Sequence, residues 1–161
     1  MKRKLTLTVA LLCVTMMILA SNTMVFGQEV PKTAQEFYER GIGYLDSGNI
    51  AKSVEDFNEA LRLAPNFAEA YLDRGYAYYR LREYDRGIAD CTKVISLEPD
   101  NKVAYTYRGL MWARKVTSRR DMDTINKAIA DFEKAIQIDP DFAPAIKEYA
   151  RFRATWVDIP R

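Results

Sequence analysis

The stretch "YLDRGYAYY", Tyr71 to Tyr79, places an arginine and a glycine side by side within a run of aromatic residues. Two further stretches share this pattern, "FYERGIGYL" upstream and "YTYRGLMWA" downstream. Their arginines are Arg40, Arg74 and Arg108, so the pattern returns every 34 residues. A fixed period of roughly 20–50 residues is typical of repeat architectures, in which each structural unit stacks on the next.

Other positions recur in phase with the arginines. An aromatic residue lies three positions before each arginine, and a glycine follows it directly. The second half of each unit also repeats, as "SVEDFNEALRLAP", "GIADCTKVISLEP" and "AIADFEKAIQIDP". Each has a small residue, then Phe57, Cys91 or Phe132 four positions later, and a closing proline. Apolar residues spaced three and four apart indicate amphipathic helices, so two helices are predicted for each unit.

Local signals support these helices. Thr33 and Glu36 have the spacing of a capping box at the start of the first helix. Gly48, in the turn "DSGN", is available for a left-handed cap at its end. A glycine inside a helix costs about 1 kcal/mol relative to alanine, so the recurring mid-helix glycines need a compensating contact. We expect the paired helix to approach closely at three positions: Gly41, Gly75 and Gly109.

This pattern resembles the tetratricopeptide repeat, and the resemblance covers roughly Thr33 to Trp156. It implies an all-α fold, an α-solenoid of three helix hairpins plus a C-terminal capping helix, wound as a right-handed superhelix with a concave face. The implied segments are the repeat region 34–140, its units 34–67, 68–101 and 102–141, the capping helix 142–156 and the tail 157–161.

The third unit is seven residues longer than the others, and the excess falls in "ARKVTSRRDMDTIN" between its two helices. One extra turn on each helix would absorb it, and a protruding loop is the alternative. Lys115, Arg119 and Arg120 make this segment basic. A solvated turn is the simpler interpretation, and a site for phosphate or an acidic partner is the other.

The arginine departs from the family pattern, which commonly has an aliphatic residue at that position. Each arginine is matched by an aspartate in the second helix that directly precedes Phe57, Cys91 or Phe132. We predict structural ion pairs that tie the two helices of a unit, or two neighbouring units, and the alternative is that both groups are solvated and unpaired. The predicted pairs are Arg40 with Asp56, Arg74 with Asp90 and Arg108 with Asp131.

The resemblance also implies that the first helix of each unit lines a groove where extended peptides or partner helices dock. The family's clamp for a terminal carboxylate is absent, because Tyr38, Ile42 and Asp73 stand where lysine and asparagine are expected. A groove rich in tyrosine with a few arginines suits an apolar or aromatic segment with some acidic character, unless the tyrosines pack between units instead. The residues transferred by position are Tyr38, Ile42, Leu45, Leu72, Tyr76, Tyr79, Arg80, Thr106, Leu110 and Arg114, and Arg151 extends this surface.

The N-terminus is typical of an export signal. "MKRK" is positively charged, and Leu5–Ala20 is an apolar stretch without a charge. We predict a signal peptide at 1–27 with cleavage after Gly27, or after Ala20 as second choice, and a linker at 28–33. The alternative is an uncleaved membrane anchor formed by 5–26. The chain is therefore expected to be exported, as a periplasmic or secreted protein of a bacterial envelope.

Composition excludes several functions. The chain contains no histidine, which removes Ser-His-Asp and Cys-His catalysis and His-based metal sites. It has no glycine-rich phosphate loop and no metal-ligand spacing, so we predict no enzyme activity, no metal and no cofactor. Cys91 is interpreted as a buried apolar residue rather than a reactive thiol.

Beyond Lys2, Arg3 and Lys4 the chain is close to neutral, which argues against nucleic acid as a partner. We expect an exported scaffold or adaptor that binds a peptide or helix of another protein in its groove. The alternative is a self-associating homo-oligomer or a membrane-tethered assembly protein.

Overall fold

The computed structural model describes residues 32–158, and all regular secondary structure within this range is α-helical. The predicted signal peptide, 1–27, lies outside the described residues. None of the described helices is long and apolar enough to cross a membrane. The helices are α1 (Ala34–Asp46), α2 (Ile50–Leu63), α3 (Ala68–Leu81), α4 (Tyr84–Leu97), α5 (Lys102–Lys115), α6 (Met122–Ile138) and α7 (Ala143–Trp156).

The helices form three hairpins in sequence order, α1 with α2, α3 with α4 and α5 with α6, and α7 packs against α5 and α6. First helices of neighbouring units also contact one another, since α1 meets α3, α3 meets α5 and α5 meets α7. Within residues 32–158, each second helix contacts the next unit only through that unit's first helix. The first helices therefore make the inner layer, and the predicted all-α solenoid is confirmed.

The predicted helix ends are confirmed at the first unit. The Thr33 hydroxyl accepts a bond from the Glu36 N–H, and the Glu36 carboxylate accepts one from the Thr33 N–H, which completes the capping box. Gly48 has the expected left-handed backbone, with a φ of 80°. Arg82 holds the same conformation in the second unit, with a φ of 63°. An ordinary side chain in that conformation costs about 1–2 kcal/mol, so this turn is strained.

The mid-helix glycines lie where the paired helix approaches, as predicted. A Cβ atom on Gly41 would lie 2.7 Å from Cε1 of Phe57, and one on Gly109 would lie 3.1 Å from Cδ1 of Phe132. Both phenylalanines are fully buried. The rings fill the space that a side chain at the glycine would need, and this contact compensates for the low helix propensity of glycine.

Cys91 takes the place of the ring in the second unit. A Cβ atom on Gly75 would lie 3.3 Å from its sulfur, so the contact is looser there. The side chain is fully buried, and burial raises the pKa of the thiol to about 12. A thiol that stays protonated at neutral pH is a poor nucleophile, so Cys91 serves packing.

The longer third unit follows neither sequence-based alternative alone. Helix α5 has 14 residues, the same length as α3, so no turn is added there. Helix α6 has 17 residues where α2 and α4 have 14, and the connection before it is lengthened to 116–121. Val116, at the start of this connection, is buried in a cluster with Ile125 and Phe152. That apolar anchor holds the connection against the hairpin, while Arg119 and Arg120 are exposed.

The close helix contact gives a paired prediction. Gly41→Ala should lower the free energy of unfolding by about 1–2 kcal/mol, because the added methyl group meets the Phe57 ring. Gly43→Ala is the matched control on the same helix, since a Cβ atom there meets nothing within 4 Å. It should raise stability by about 0.5–1 kcal/mol through helix propensity alone. Urea unfolding of both variants checks this, and equal effects would contradict the packing role.

Candidate functional site

The predicted arginine–aspartate pairs are in contact in all three units. Arg74 donates from Nε to Oδ2 of Asp90 at 2.8 Å and from Nη2 to Oδ1 at 2.7 Å. Arg40 makes the same two-bond contact with Asp56, and Arg108 makes it with Asp131. Two parallel bonds fix both orientation and distance, so each pair holds the two helices of its hairpin in register.

Two of these arginines also reach the preceding unit. Arg74 donates from Nη1 to Oδ1 of Asn58 at 2.7 Å, and Arg108 donates to the Thr92 hydroxyl at 3.1 Å. Each acceptor lies 16 residues before its donor. The capping helix repeats this contact with another residue type, since Tyr149 donates to Glu133, also 16 residues earlier, at 2.5 Å. We call the three arginines with their aspartates, Arg40–Asp56, Arg74–Asp90 and Arg108–Asp131, the arginine ladder. The further bonds of Arg74 and Arg108 join one unit to the unit before it.

The aspartates of the arginine ladder are buried more deeply than the arginines. The side chain of Asp90 is 7% exposed and that of Arg74 is 18% exposed. Burial raises the pKa of Asp90 and of Asp131, while the bonds from their arginines act in the opposite direction. The arginine therefore offsets a desolvation cost, and removing it leaves a carboxylate buried without a partner.

The predicted groove residues differ in how far the structure exposes them. Six are half-buried on the inner helix layer, and Arg80 and Arg114 are exposed there. Leu45 and Thr106 are only 9% and 3% exposed, so their assignment to the groove lining is corrected. The half-buried residues are Tyr38, Ile42, Leu72, Tyr76, Tyr79 and Leu110.

Local packing explains both corrections. Leu45 belongs to a buried cluster with Phe57 and Ala77, so it seals the first unit against the second. Thr106 turns its hydroxyl back to donate to the backbone carbonyl of Lys102 at 2.8 Å. The sequence position alone did not separate these inward residues from their exposed neighbours.

The middle of the groove is a strip of tyrosines. Tyr76 is stacked on Tyr107 of the next unit, with ring centroids 5.4 Å apart, and on Tyr79 at 6.3 Å. Arg114 donates to the Tyr79 hydroxyl from Nε at 3.3 Å and from Nη2 at 3.1 Å. The tyrosines thus pack between units on one side and stay partly accessible on the other. We call Tyr76, Tyr79 and Tyr107 the tyrosine strip.

The groove changes charge along its length. In the first two units Tyr38 donates to Oδ2 of Asp73 at 2.8 Å. Burial raises the pKa of Asp73, the bond from Tyr38 lowers it, and the charges of Glu69 and Asp46 raise it further. This end is acidic. The third unit and α7 instead present arginines to the groove.

Sequence reasoning missed Tyr107 because it considered only Thr106 at that turn of α5. The available signal was the repeat register, because Tyr107 lies 34 residues after Asp73, a position that the comparison with the clamp had already placed in the groove. Tyr38 and Asp73 are 35 residues apart and in contact, as are Tyr79 and Arg114. These two hydrogen bonds between neighbouring first helices are offset by one position from the repeat, whereas the stacked pair Tyr76 and Tyr107 follows a different spacing.

No group of three or more histidine, cysteine or acidic side chains in 32–158 is arranged to hold a metal ion. The polar groups of the groove are instead suited to recognition, since tyrosine and arginine combine large contact surfaces with directed hydrogen bonds.

Family models match the sequence of this region. A TPR repeat model matches residues 43–81, and two tetratricopeptide repeat models match 68–101 and 111–142. Together these matches cover more than half of the chain. The chain belongs to the tetratricopeptide repeat family. No curated protein matches it significantly in sequence.

Several solved tetratricopeptide domains have a similar fold. The first TPR of Spaghetti (RPAP3), bound to an HSP90 peptide, has a TM-score of 0.67 and 21% identity over 80% of this chain and 98% of its own. The second TPR domain of human RPAP3, in complex with an HSP70 peptide, has a TM-score of 0.65 and 23% identity over 74% and 94%. The Arabidopsis OM64 TPR domain has a TM-score of 0.67 and 25% identity over 76% and 96%.

The arginine ladder can be tested by a double-mutant cycle. Asp90→Ala should lower the free energy of unfolding by about 2–3 kcal/mol, because Arg74 is left without its partner. Arg74→Met keeps the aliphatic stem, and the two changes together should cost at least about 1 kcal/mol less than the sum of the single changes. Urea unfolding measures all four corners of the cycle.

The exposed pair of Arg62 and Glu59 on α2 provides the control for this cycle. The same treatment there should give a coupling of no more than about 0.5 kcal/mol. Additive losses at Arg74 and Asp90 would contradict a structural role for the ladder.

Proposed function

We propose that this tetratricopeptide repeat protein is an interaction scaffold that holds an extended segment of another protein along its inner helix layer. The observation that carries the proposal is the tyrosine strip, with Arg80 and Arg114 beside it on an accessible surface. Aromatic and arginine side chains dominate the binding energy of protein interfaces. The partner segment is apolar or aromatic with some acidic character, and we assign the chain no catalytic role.

The solved complexes add support by analogy. Two domains of similar fold are described with bound HSP90 and HSP70 peptides. The chain lacks the lysine and asparagine of the terminal-carboxylate clamp at Tyr38, Ile42 and Asp73. Its partner therefore has a different sequence preference, set by the tyrosines.

A displayed library of random extended peptides, selected on the immobilised full chain, tests this proposal. Selected peptides should contain aromatic or aliphatic residues with nearby acids. Their binding should fall at least about tenfold in the double variant Tyr76→Ala plus Arg80→Ala, because both contacts at the centre of the groove are lost. Circular dichroism melting checks that the double variant is folded. Arg80→Glu alone is a second variant, which reverses the charge of one exposed side chain and leaves the tyrosines in place.

The control removes one arginine and one apolar residue elsewhere. Arg62→Ala plus Leu63→Ala changes two exposed residues at the end of α2, and it should leave peptide affinity unchanged. Equal loss in both double variants, or selection of no peptide, would contradict groove binding.

Self-association is the second candidate function. It is favoured by the exposed apolar residues Ile146 and Val157 at the C-terminal helix, at 41% and 43% exposure. Light scattering of the purified chain separates the candidates. A concentration-dependent assembly that Ile146→Lys dissolves would favour self-association, and a monomer would favour the adaptor.

We further propose that the chain is exported through its N-terminal segment. The proposal is supported by the positive start and the uncharged apolar stretch Leu5–Ala20. Mass spectrometry of the native protein should find an N-terminus at Gln28, or at Ser21 if the second site is used. A retained Met1 together with recovery in the membrane fraction would favour the anchor formed by 5–26.

A further inference from the structure

A cavity of about 470 Å³ opens between α5 and α7, at the basic end of the groove. Its apolar walls come from Leu110, Val116, Phe152 and Trp156. Val116 and Phe152 are buried members of the apolar cluster that includes Ile125, whereas Trp156 is half-buried at the surface. A volume of this size lies within the roughly 300–1,000 Å³ typical of ligand pockets, so it can admit one large side chain of a peptide.

One arginine of the cavity is already held in position. Arg114 donates hydrogen bonds from Nε and from Nη2 to the Tyr79 hydroxyl. Its guanidinium carbon lies 5.9 Å from the centre of the Tyr79 ring. Among the described residues it makes no salt bridge. Its Nη1 group remains available, and the orientation of the guanidinium is set before any ligand arrives.

The second arginine has only a loose counter-ion. Nη1 of Arg151 lies 3.7 Å from Oε2 of Glu148, beyond hydrogen-bond distance, and the Arg151 side chain is 71% exposed. The bond to the Tyr79 hydroxyl raises the pKa of Arg114, and the negative charge of Glu148 raises it further. The cavity therefore holds two guanidinium groups and one carboxylate, which leaves it with excess positive charge beside an apolar wall.

We propose that this cavity receives a carboxylate of the partner peptide between Arg114 and Arg151, with a neighbouring apolar side chain against Trp156. The proposal rests on the scaffold function above, since Leu110 and Arg114 belong to both surfaces. Charge complementarity selects an acidic ligand, because guanidinium groups bind carboxylates through paired, directed bonds. The carboxylate comes either from an acidic side chain or from the peptide's C-terminus. Glu148 competes with it for the same arginines.

Fluorescence anisotropy with defined peptides tests the proposal on the full chain. The probe is fluorescein-labelled Ser-Gly-Ser-Gly-Tyr-Leu-Glu-Phe with a free C-terminus. A second probe is amidated, a third has Gln in place of Glu, and a fourth has both changes. The fourth should bind at least about tenfold more weakly than the first, and the other two identify which carboxylate is used.

Two variants of the cavity should change the affinity for the first probe in opposite directions, and a third variant is the control. Arg151→Ala should weaken the first probe about five- to tenfold, and Glu148→Gln should tighten it about threefold or more, because the competing carboxylate is removed. Arg153→Ala is the matched control, since Arg153 lies two residues further along α7 and pairs with Asp158. It should leave affinity unchanged, and the effects should shrink at high salt.

Several outcomes would overturn the inference. They are equal affinity for all four probes, no binding of any probe, weaker binding in Glu148→Gln, or equal losses in Arg151→Ala and Arg153→Ala. The proposed function is judged separately. Peptides that depend on Tyr76 and Arg80 but ignore Arg151 would support the scaffold and reject the carboxylate site.

Discussion

Each hairpin depends on a close approach between its two helices, at the glycine that follows the arginine. In the first and third units this glycine faces a fully buried phenylalanine ring, Phe57 or Phe132. The approach brings the arginine of the first helix within reach of an aspartate on the second. A larger residue at the glycine would separate the helices and stretch both bonds of the ion pair. One steric constraint thus sets the packing of the core and the geometry of the arginine ladder.

The groove follows from the same arrangement. Among the described helices, each second helix packs only against first helices or α7, so the first helices lie side by side and form one inner surface. Two hydrogen bonds along this surface join residues 35 apart, Tyr38 with Asp73 and Tyr79 with Arg114, and Tyr76 is stacked on Tyr107. These contacts fix the tyrosine strip in place without ligand. A partner segment would then bind a surface that is already ordered, which lowers the entropic cost of binding.

The sequence was sufficient to predict much of the fold and less of the site. The 34-residue period of the arginines and glycines predicted the helix hairpins, because each repeat of the sequence forms the same pair of packed helices. The capping box at Thr33 and the left-handed Gly48 followed from local chemistry. The burial of Leu45 and Thr106 could not be predicted, since it depends on how far one unit is rotated against the next. The role of Glu148 also depends on that rotation.

The replacement of arginine by Tyr149 in α7 has a consequence for how such an array changes length. Copying an internal unit of 34 residues would reproduce the cross-unit bonds of the arginine ladder, because each arginine would again find its acceptor 16 positions earlier. A unit added after α7 would not, because the single O–H donor of Tyr149 cannot make the two parallel bonds that an arginine makes to an aspartate. Duplication of an internal unit therefore preserves the arginine ladder, whereas a unit added after α7 requires another residue in place of Tyr149.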